Sequence, residues 1–329
     1  MLGGIFNQPP ILPSNQNPLG ALPARFRRER LLIVGCGDVG LRVARALSAG
    51  VRVLALTSSA ERVAGLRHRG ITPLPGNLDD AASLRRLAGI AHRVLHLAPP
   101  PNTNREVKGN AGDPGDPRTR ALLAVLRRRT TPARLVYGST SGVYGDCQGE
   151  VATEIRAVNA KSARAEKRVD AEARVRHFGR ATGTRVKVLR IPGIYALDRA
   201  NGTPAARLQK GTPVLRADDD VFTNHIHADD LARACIAALW RGKPLRVYNV
   251  NDNTVLKMGD YFDLAADILN LPRPPRVSRE MAKEVLSALQ LSFMGESRRM
   301  DNTRMKRELR LRLLYPTVVE GLVSANQPL

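Results

Sequence analysis

The run Leu31-Leu32-Ile33-Val34-Gly35-Cys36-Gly37-Asp38-Val39-Gly40 decides the fold. Its first four residues form the short apolar stretch that a strand buried on both faces requires. Val39, Val43, Ala46 and Leu47 then recur at helical spacing up to Gly50, and 51–56 reads as a second strand. A Gly-x-Gly-x-x-Gly set between a strand and a helix has a meaning that glycines alone lack. Gly35 permits the tight turn, Gly37 lets a pyrophosphate approach the main chain, and Gly40 lets the helix lie close to the strand. The helix start adds unpaired N–H groups and the positive end of its dipole, so Asp38 and Val39 join the glycines as expected cofactor contacts.

Working outward, further strands are expected at 71–74, 94–97, 134–137 and 185–191. They alternate with helices at 61–69, 79–87, 118–129 and 163–181. Such alternation implies right-handed crossovers and one parallel, doubly wound α/β sheet. The expected strand order is the Rossmann-like 3-2-1-4-5-6 plus an extension, with the ligand at the switch point between strands 1 and 4. Residues 1–29 read as a mobile N-terminal tail. Residues 30–192 and 226–250 read as the dinucleotide-binding domain, and 193–225 and 251–322 as a smaller C-terminal substrate lobe. The polar stretch 100–117 is too long for a plain connector and is expected to cover a site.

The end of the second strand sets the cofactor preference. An NAD site usually places a carboxylate there for the ribose 2′-hydroxyl. The sequence instead reads Leu56-Thr57-Ser58-Ser59-Ala60-Glu61-Arg62. With no acid at the strand end, hydroxyls at Thr57 and Ser58 and a cation at Arg62, NADP is preferred and NAD is the alternative.

Charge narrows the partners. The 329 residues carry 52 Lys+Arg against 30 Asp+Glu, a net +22. The basic residues are spread along the chain, and aromatic residues, at 4%, are too few for a base-stacking surface. Nucleic acid is therefore set aside in favour of a small anionic substrate. No run approaches the ~18 apolar residues of a membrane span. Cys36, Cys147 and Cys235 are odd in number and far apart, which suggests neither a disulfide framework nor a metal cluster and fits the cytoplasm. A monomer or homodimer is expected.

After the fifth strand, Gly138-Ser139-Thr140-Ser141-Gly142-Val143-Tyr144-Gly145-Asp146 resembles the signature of the extended short-chain dehydrogenase/reductases, the sugar-nucleotide epimerase and dehydratase group. Leu189-Arg190-Ile191-Pro192-Gly193-Ile194-Tyr195, His225-Ile226-His227-Ala228-Asp229-Asp230-Leu231 and Tyr248-Asn249-Val250-Asn251-Asp252 match its later motifs in order. The resemblance runs from about residue 31 to 322. It implies adenine contacts at Asn77 and Leu78, further cofactor contacts at Leu97, Ala98, Pro99 and Pro192, and a catalytic hydroxyl at Thr140 flanked by Ser139 and Ser141. Arg298 and Arg299 are candidates to clamp a substrate phosphate or carboxylate.

Two departures stand out. The first glycine of the group's Gly-x-x-Gly-x-x-Gly aligns with Val34. The group's Tyr-x-x-x-Lys pair, which exchanges a proton with a substrate hydroxyl, aligns with Arg164 and Arg168. Arginine stays protonated and is no base at neutral pH. The pattern is similar to atypical members of the superfamily that keep the cofactor site without that pair. Tyr144 and Asp116 are the candidate substitutes. His96 is expected in the core, His227 at the lobe junction, and Asp229 and Asp230 as N-caps of the following helix. Two functions follow: an NADP-linked oxidoreductase or epimerase of an anionic hydroxyl or carbonyl compound, such as a nucleotide sugar, or a non-catalytic NADP(H)-binding regulatory protein.

Overall fold

The alternation of β1 (Glu29–Val34) explains why its apolar run is unbroken. Leu31 and Ile33 face one hydrophobic core, Leu32 and Val34 face another, and all four are fully buried. A strand covered on both sides has no solvent face on which polar residues would alternate. The computed structural model describes residues 28–47, 49–101, 115–199 and 202–323. The expected tail up to residue 27 and most of the 100–117 stretch lie outside the described residues.

Six further strands join β1 in one parallel sheet: β2 (Val51–Thr57), β3 (Thr72–Pro75), β4 (Arg93–His96), β5 (Arg134–Thr140), β6 (Arg185–Ile191) and β7 (Arg246–Asn249). Their order across the sheet is β3-β2-β1-β4-β5-β6-β7, the doubly wound arrangement with β7 as its extension. Helices α1 (Asp38–Ala46), α2 (Arg62–His68), α3 (Pro117–Leu126), α4 (Ala163–Thr182) and α5 (Ala228–Trp240) connect and cover the strands. Val43, Leu231 and Ala234 fill one core face. Leu122, Leu126, Val175 and Phe178 fill the other. The helix expected over 79–87 is instead a 3₁₀ segment, Ala81–Leu87, whose start is tightened by the Asp80 carboxylate accepting from Ala82 N at 3.0 Å.

A third core cluster gathers Tyr195, Leu208, Val214, Tyr261, Phe262, Met294, Val318 and Leu322 around α6 (Met258–Leu269). Met305, Leu309 and Leu311, expected in this lobe, pack into the sheet's core instead. Strand Gly193–Tyr195 pairs in parallel with His225–His227, so chain leaving β6 lies beside chain returning to α5.

The cap of α5 differs from expectation. His227 Nδ1 accepts from Asp229 N at 3.2 Å, and the ring lies 3.8 Å from that of Tyr315. Asp230, fully buried, accepts instead from the backbone N–H groups of Leu314 and Tyr315, both at 2.8 Å. Asp229 pairs with Arg42. These partners come from distant segments, and buried N–H groups left without them would be destabilising.

Candidate active site

The turn after β1 is built for close approach. Gly35 holds φ +88°, and a Cβ added there would lie 2.3 Å from Ala98 N, so only glycine fits. At Gly37 a Cβ would meet nothing within 4 Å, leaving the outer face of the turn open. A Cβ on Gly40 would come within 3.2 Å of Ile33 Cγ2, the close helix–strand contact. No side chain among the described residues caps α1, and so its first N–H groups remain available to an anion. These features fit a dinucleotide pyrophosphate.

Gly35, Gly37, Asp38, Val39, Gly40 and Leu97 line a cleft of about 300 Å³, together with Ser139, Thr140, Arg168 and Pro192. The carboxylate of Asp38 is neutralised by Arg42 at 3.1 Å and Arg199 at 3.2 Å. Burial opposes charge on Arg42, but hydrogen bonds to Asp198 and Asp229, both at 2.6 Å, hold it protonated above its ordinary range. One guanidinium thereby ties the glycine turn, α5 and the second lobe together. Sequence reasoning missed this network because its bonded pairs include Arg42 and Asp229, 187 residues apart.

The remaining expected cofactor contacts separate. Thr57 is buried and its hydroxyl closes a turn with Ser59 N and O, whereas Ser58 is exposed. Arg62 reaches back over the turn and donates to the Cys36 carbonyl oxygen. Burial pushes the Cys36 thiol up to about 11, which keeps it neutral and inert. Asn77 Oδ1 accepts from Asp79 N, and Leu78 packs on the core. Ala98 supports Gly35 from beneath, and Pro99 accepts from Arg118 Nη1 at 3.1 Å. None of Asn77, Leu78, Ala98 and Pro99 lines the cleft.

A second cavity of about 590 Å³ opens between the sheet and the lobe. Thr140, at the end of β5, lines both spaces. Its Oγ1 accepts from Gly142 N at 3.3 Å, capping the 3₁₀ turn Ser141–Tyr144, and this leaves its hydroxyl proton for another acceptor. Ser141 lines the second cavity. Ser139 lines the cleft, but its hydroxyl donates to Glu172 Oε1 at 2.6 Å. Glu172 in turn pairs with Arg190 at 2.9 Å, both side chains at most 3% exposed.

Two candidate proton carriers are placed elsewhere. Tyr144 is 1% exposed and lines neither cavity; its hydroxyl donates to Asn249 Oδ1 at 2.7 Å beneath the Arg190 guanidinium. Burial raises its pKa further from neutrality. Asp116, equally buried, is the N-cap of α3, accepting from Arg118 N at 3.0 Å and from Thr119 Oγ1 at 2.6 Å. It lines neither cavity. His96 contacts Thr119 Oγ1 at 2.9 Å in the core, and burial lowers its pKa to about 3.

The second cavity is cationic. Arg164, Arg168, Arg207 and Arg298 line it, with Glu296 as the single carboxylate among the described residues, paired to Arg298 at 2.6 Å. Arg207 lies over the Phe262 ring and Arg164 over Phe293. Arg299, expected beside Arg298, turns away, donating to the Gly149 carbonyl at 2.6 Å and covering Phe222. Adjacent residues on the short strand Arg299–Met300 and its approach point to different sides, and so the two arginines cannot form one clamp. Arg207, Phe262 and Phe293 stand in segments without a motif. Arg164 and Arg168 were legible in the sequence only as substitutions.

This sheet and glycine turn define an α/β protein of the dinucleotide-binding class. Residues 31–251 match the NAD dependent epimerase/dehydratase family, and the chain belongs to it. Among solved structures, a functionally unknown conserved protein from Silicibacter pomeroyi is 27% identical, with 91% of this chain and 99% of that chain covered at a TM-score of 0.74. UDP-glucose 4-epimerase from Thermotoga maritima is 19% identical over 89% and 96% of the two chains, with a TM-score of 0.73. A dTDP-glucose 4,6-dehydratase from Streptomyces venezuelae, solved with NAD bound, is 22% identical over 90% and 95%, with a TM-score of 0.72. Among curated protein sequences none matches the chain. No helix of the described residues is long and apolar enough to cross a membrane.

Proposed function

We propose that this chain is an NADP(H)-dependent oxidoreductase or epimerase acting on an anionic hydroxyl or carbonyl compound. The observation that carries the reading is Thr140, which lines both the glycine-turn cleft and the arginine-lined cavity. Bound NADP(H) would supply hydride chemistry. The glycine turn and α1 hold the pyrophosphate, while Ser58 and Arg62 meet the 2′-phosphate. Thr140 donates to the substrate oxygen, and Arg164, Arg168, Arg207 and Arg298 draw the substrate's negative charge. Because Tyr144 and Asp116 are committed to structural bonds, protons reach the substrate oxygen through water. Nucleotide sugars, bound by the Thermotoga epimerase, are the first compounds to screen.

A second reading, a non-catalytic NADP(H)-binding regulatory protein, is favoured by one observation: arginines occupy both positions of the usual Tyr–Lys pair. Mass spectrometry of ligands retained by the purified chain, followed by NADPH turnover with the compounds found, decides between them. Turnover lost in Thr140→Val supports the enzyme. Tight NADPH binding with no turnover of any retained compound supports the regulator.

A further inference from the structure

Four residues line both cavities: Thr140, Arg168, Pro192 and Ile194. Arg168 alone among them is charged. It projects from α4, and its Nη1 donates to the Tyr137 hydroxyl at 3.2 Å and to the Gly138 carbonyl, which fixes the guanidinium against β5 two residues before Thr140. Arg42, Arg190 and Arg298 each have a carboxylate partner, whereas Arg168 has none among the described residues. Asp116 senses its charge from a distance but is committed to Thr119 and the start of α3.

We propose that Arg168 is a substrate-binding residue that receives a carboxylate carried beside the reacting carbon, so that the substrate is a 2-hydroxy or 2-oxo acid. This rests on the reading that the cleft holds NADP(H) and the second cavity holds the substrate. With Nη1 engaged, Nη2 and Nε remain, and such a planar edge matches a carboxylate. Thr140 retains its hydroxyl proton for the oxygen on the neighbouring carbon. The position of Arg168 decides where the charge must lie. Arg207 and Arg298 line only the second cavity, and Arg199 lines only the cleft. A substrate whose charge reached only Arg207 and Arg298 would leave Arg168 desolvated and uncompensated. The pyrophosphate already has the glycine turn and α1.

The test is calorimetric titration of oxalate, a planar diacid with no reducible carbonyl, into the full chain saturated with NADPH. Oxalate binds the wild type, and Arg168→Gln weakens it by about 10- to 100-fold, a larger loss than the same substitution causes for NADPH. Arg168→Lys keeps part of the oxalate affinity, since charge remains without the fork. Absence of oxalate binding in the wild type, or equal oxalate affinity in Arg168→Gln, overturns the proposal. So does a loss confined to NADPH, which assigns the guanidinium to the dinucleotide. If the wild type binds no NADPH, the cofactor reading fails separately. Oxalate titrated into the unliganded wild type and Arg168→Gln then tests Arg168 by the same comparison. Should Arg168→Gln not fold, reduced but measurable affinity in Arg168→Lys supports the proposal and undiminished affinity overturns it.

Discussion

Ser139 donates its hydroxyl proton to Glu172 at 2.6 Å, and this bond separates it from its neighbour Thr140. Ser139 belongs to a buried chain that continues through Glu172 to Arg190, whose guanidinium lies 4.6 Å from the Tyr144 ring centre. Thr140 is free of that chain and faces both cavities. The strand thus uses one hydroxyl to lock its end, while the next residue lines the two cavities.

The two residues therefore fail differently. Thr140→Val should lower turnover of any accepted carbonyl compound by about 100-fold, the usual effect of deleting one oxyanion-directed donor. Loss of its long bond to Gly142 N should cost only about 0.5–1 kcal/mol of stability. Ser139→Ala should instead destabilise the fold by about 1–3 kcal/mol, because Glu172 loses a buried donor. Thermal unfolding and initial-rate measurements on both variants check the split, and a Thr140→Val enzyme with full turnover removes the hydroxyl from the mechanism.

The glycine turn makes a paired prediction. Gly37→Ala adds a methyl where nothing lies within 4 Å, so the variant should fold like the wild type and bind NADPH at least about tenfold more weakly, the methyl standing where the pyrophosphate approaches. Gly35→Ala forces a methyl onto Ala98 at a positive φ and should fail to fold or lose several kcal/mol. Circular dichroism and calorimetry separate the two. Unaltered NADPH affinity in Gly37→Ala would contradict the phosphate cradle.

These contrasts show what one dimension of sequence carries. The strand order, the glycine turn, Thr140 and Pro192 were legible because each depends on residues within a few positions, where turn geometry and strand periodicity act. Tyr144 was not: its hydroxyl is fixed by Asn249, 105 residues on, and no local pattern says which side of β5 the following turn faces. Asp116 was misleading for a related reason. An acid before Pro117 suits both an N-cap and a proton carrier, and only its bonds to Arg118 N and Thr119 decide. The cationic wall was half legible. Arg164 and Arg168 were visible as replacements, but the convergence of Arg207 with them required the lobe to fold first.

The end of β2 makes a prediction about the cofactor. The strand end presents Ser58 without a carboxylate, and Arg62 lies over the glycine turn. NADPH should bind more tightly than NADH, and Arg62→Ala should reduce the ratio by about tenfold through loss of one charge-assisted contact to the 2′-phosphate. NADH affinity should hardly change. Parallel titrations of the two dinucleotides measure the ratio, and equal affinities in the wild type would exclude the preference.

Asp252 gives the fold a pH dependence of its own. The residue is 1% exposed; its backbone N–H donates to the His225 carbonyl, and its Oδ1 accepts from Thr254 N at 2.9 Å, while Oδ2 has no hydrogen-bond partner among the described residues. Burial outweighs the bonds from Thr254 and lifts the carboxyl from 3.8 to about 7. The folded chain therefore holds this proton more tightly than the unfolded chain does. The resulting stability is fully present below about pH 4 and is lost as pH rises through about 7. Asp252→Asn, which keeps the acceptor for Thr254 N and cannot ionise, should match the wild type near pH 4 and exceed it at pH 8 by about 2–4 kcal/mol. Urea unfolding across that range measures the difference. Parallel profiles for the two proteins would mean that Asp252 ionises without penalty, and that the segment after β7 opens to water more readily than its burial implies.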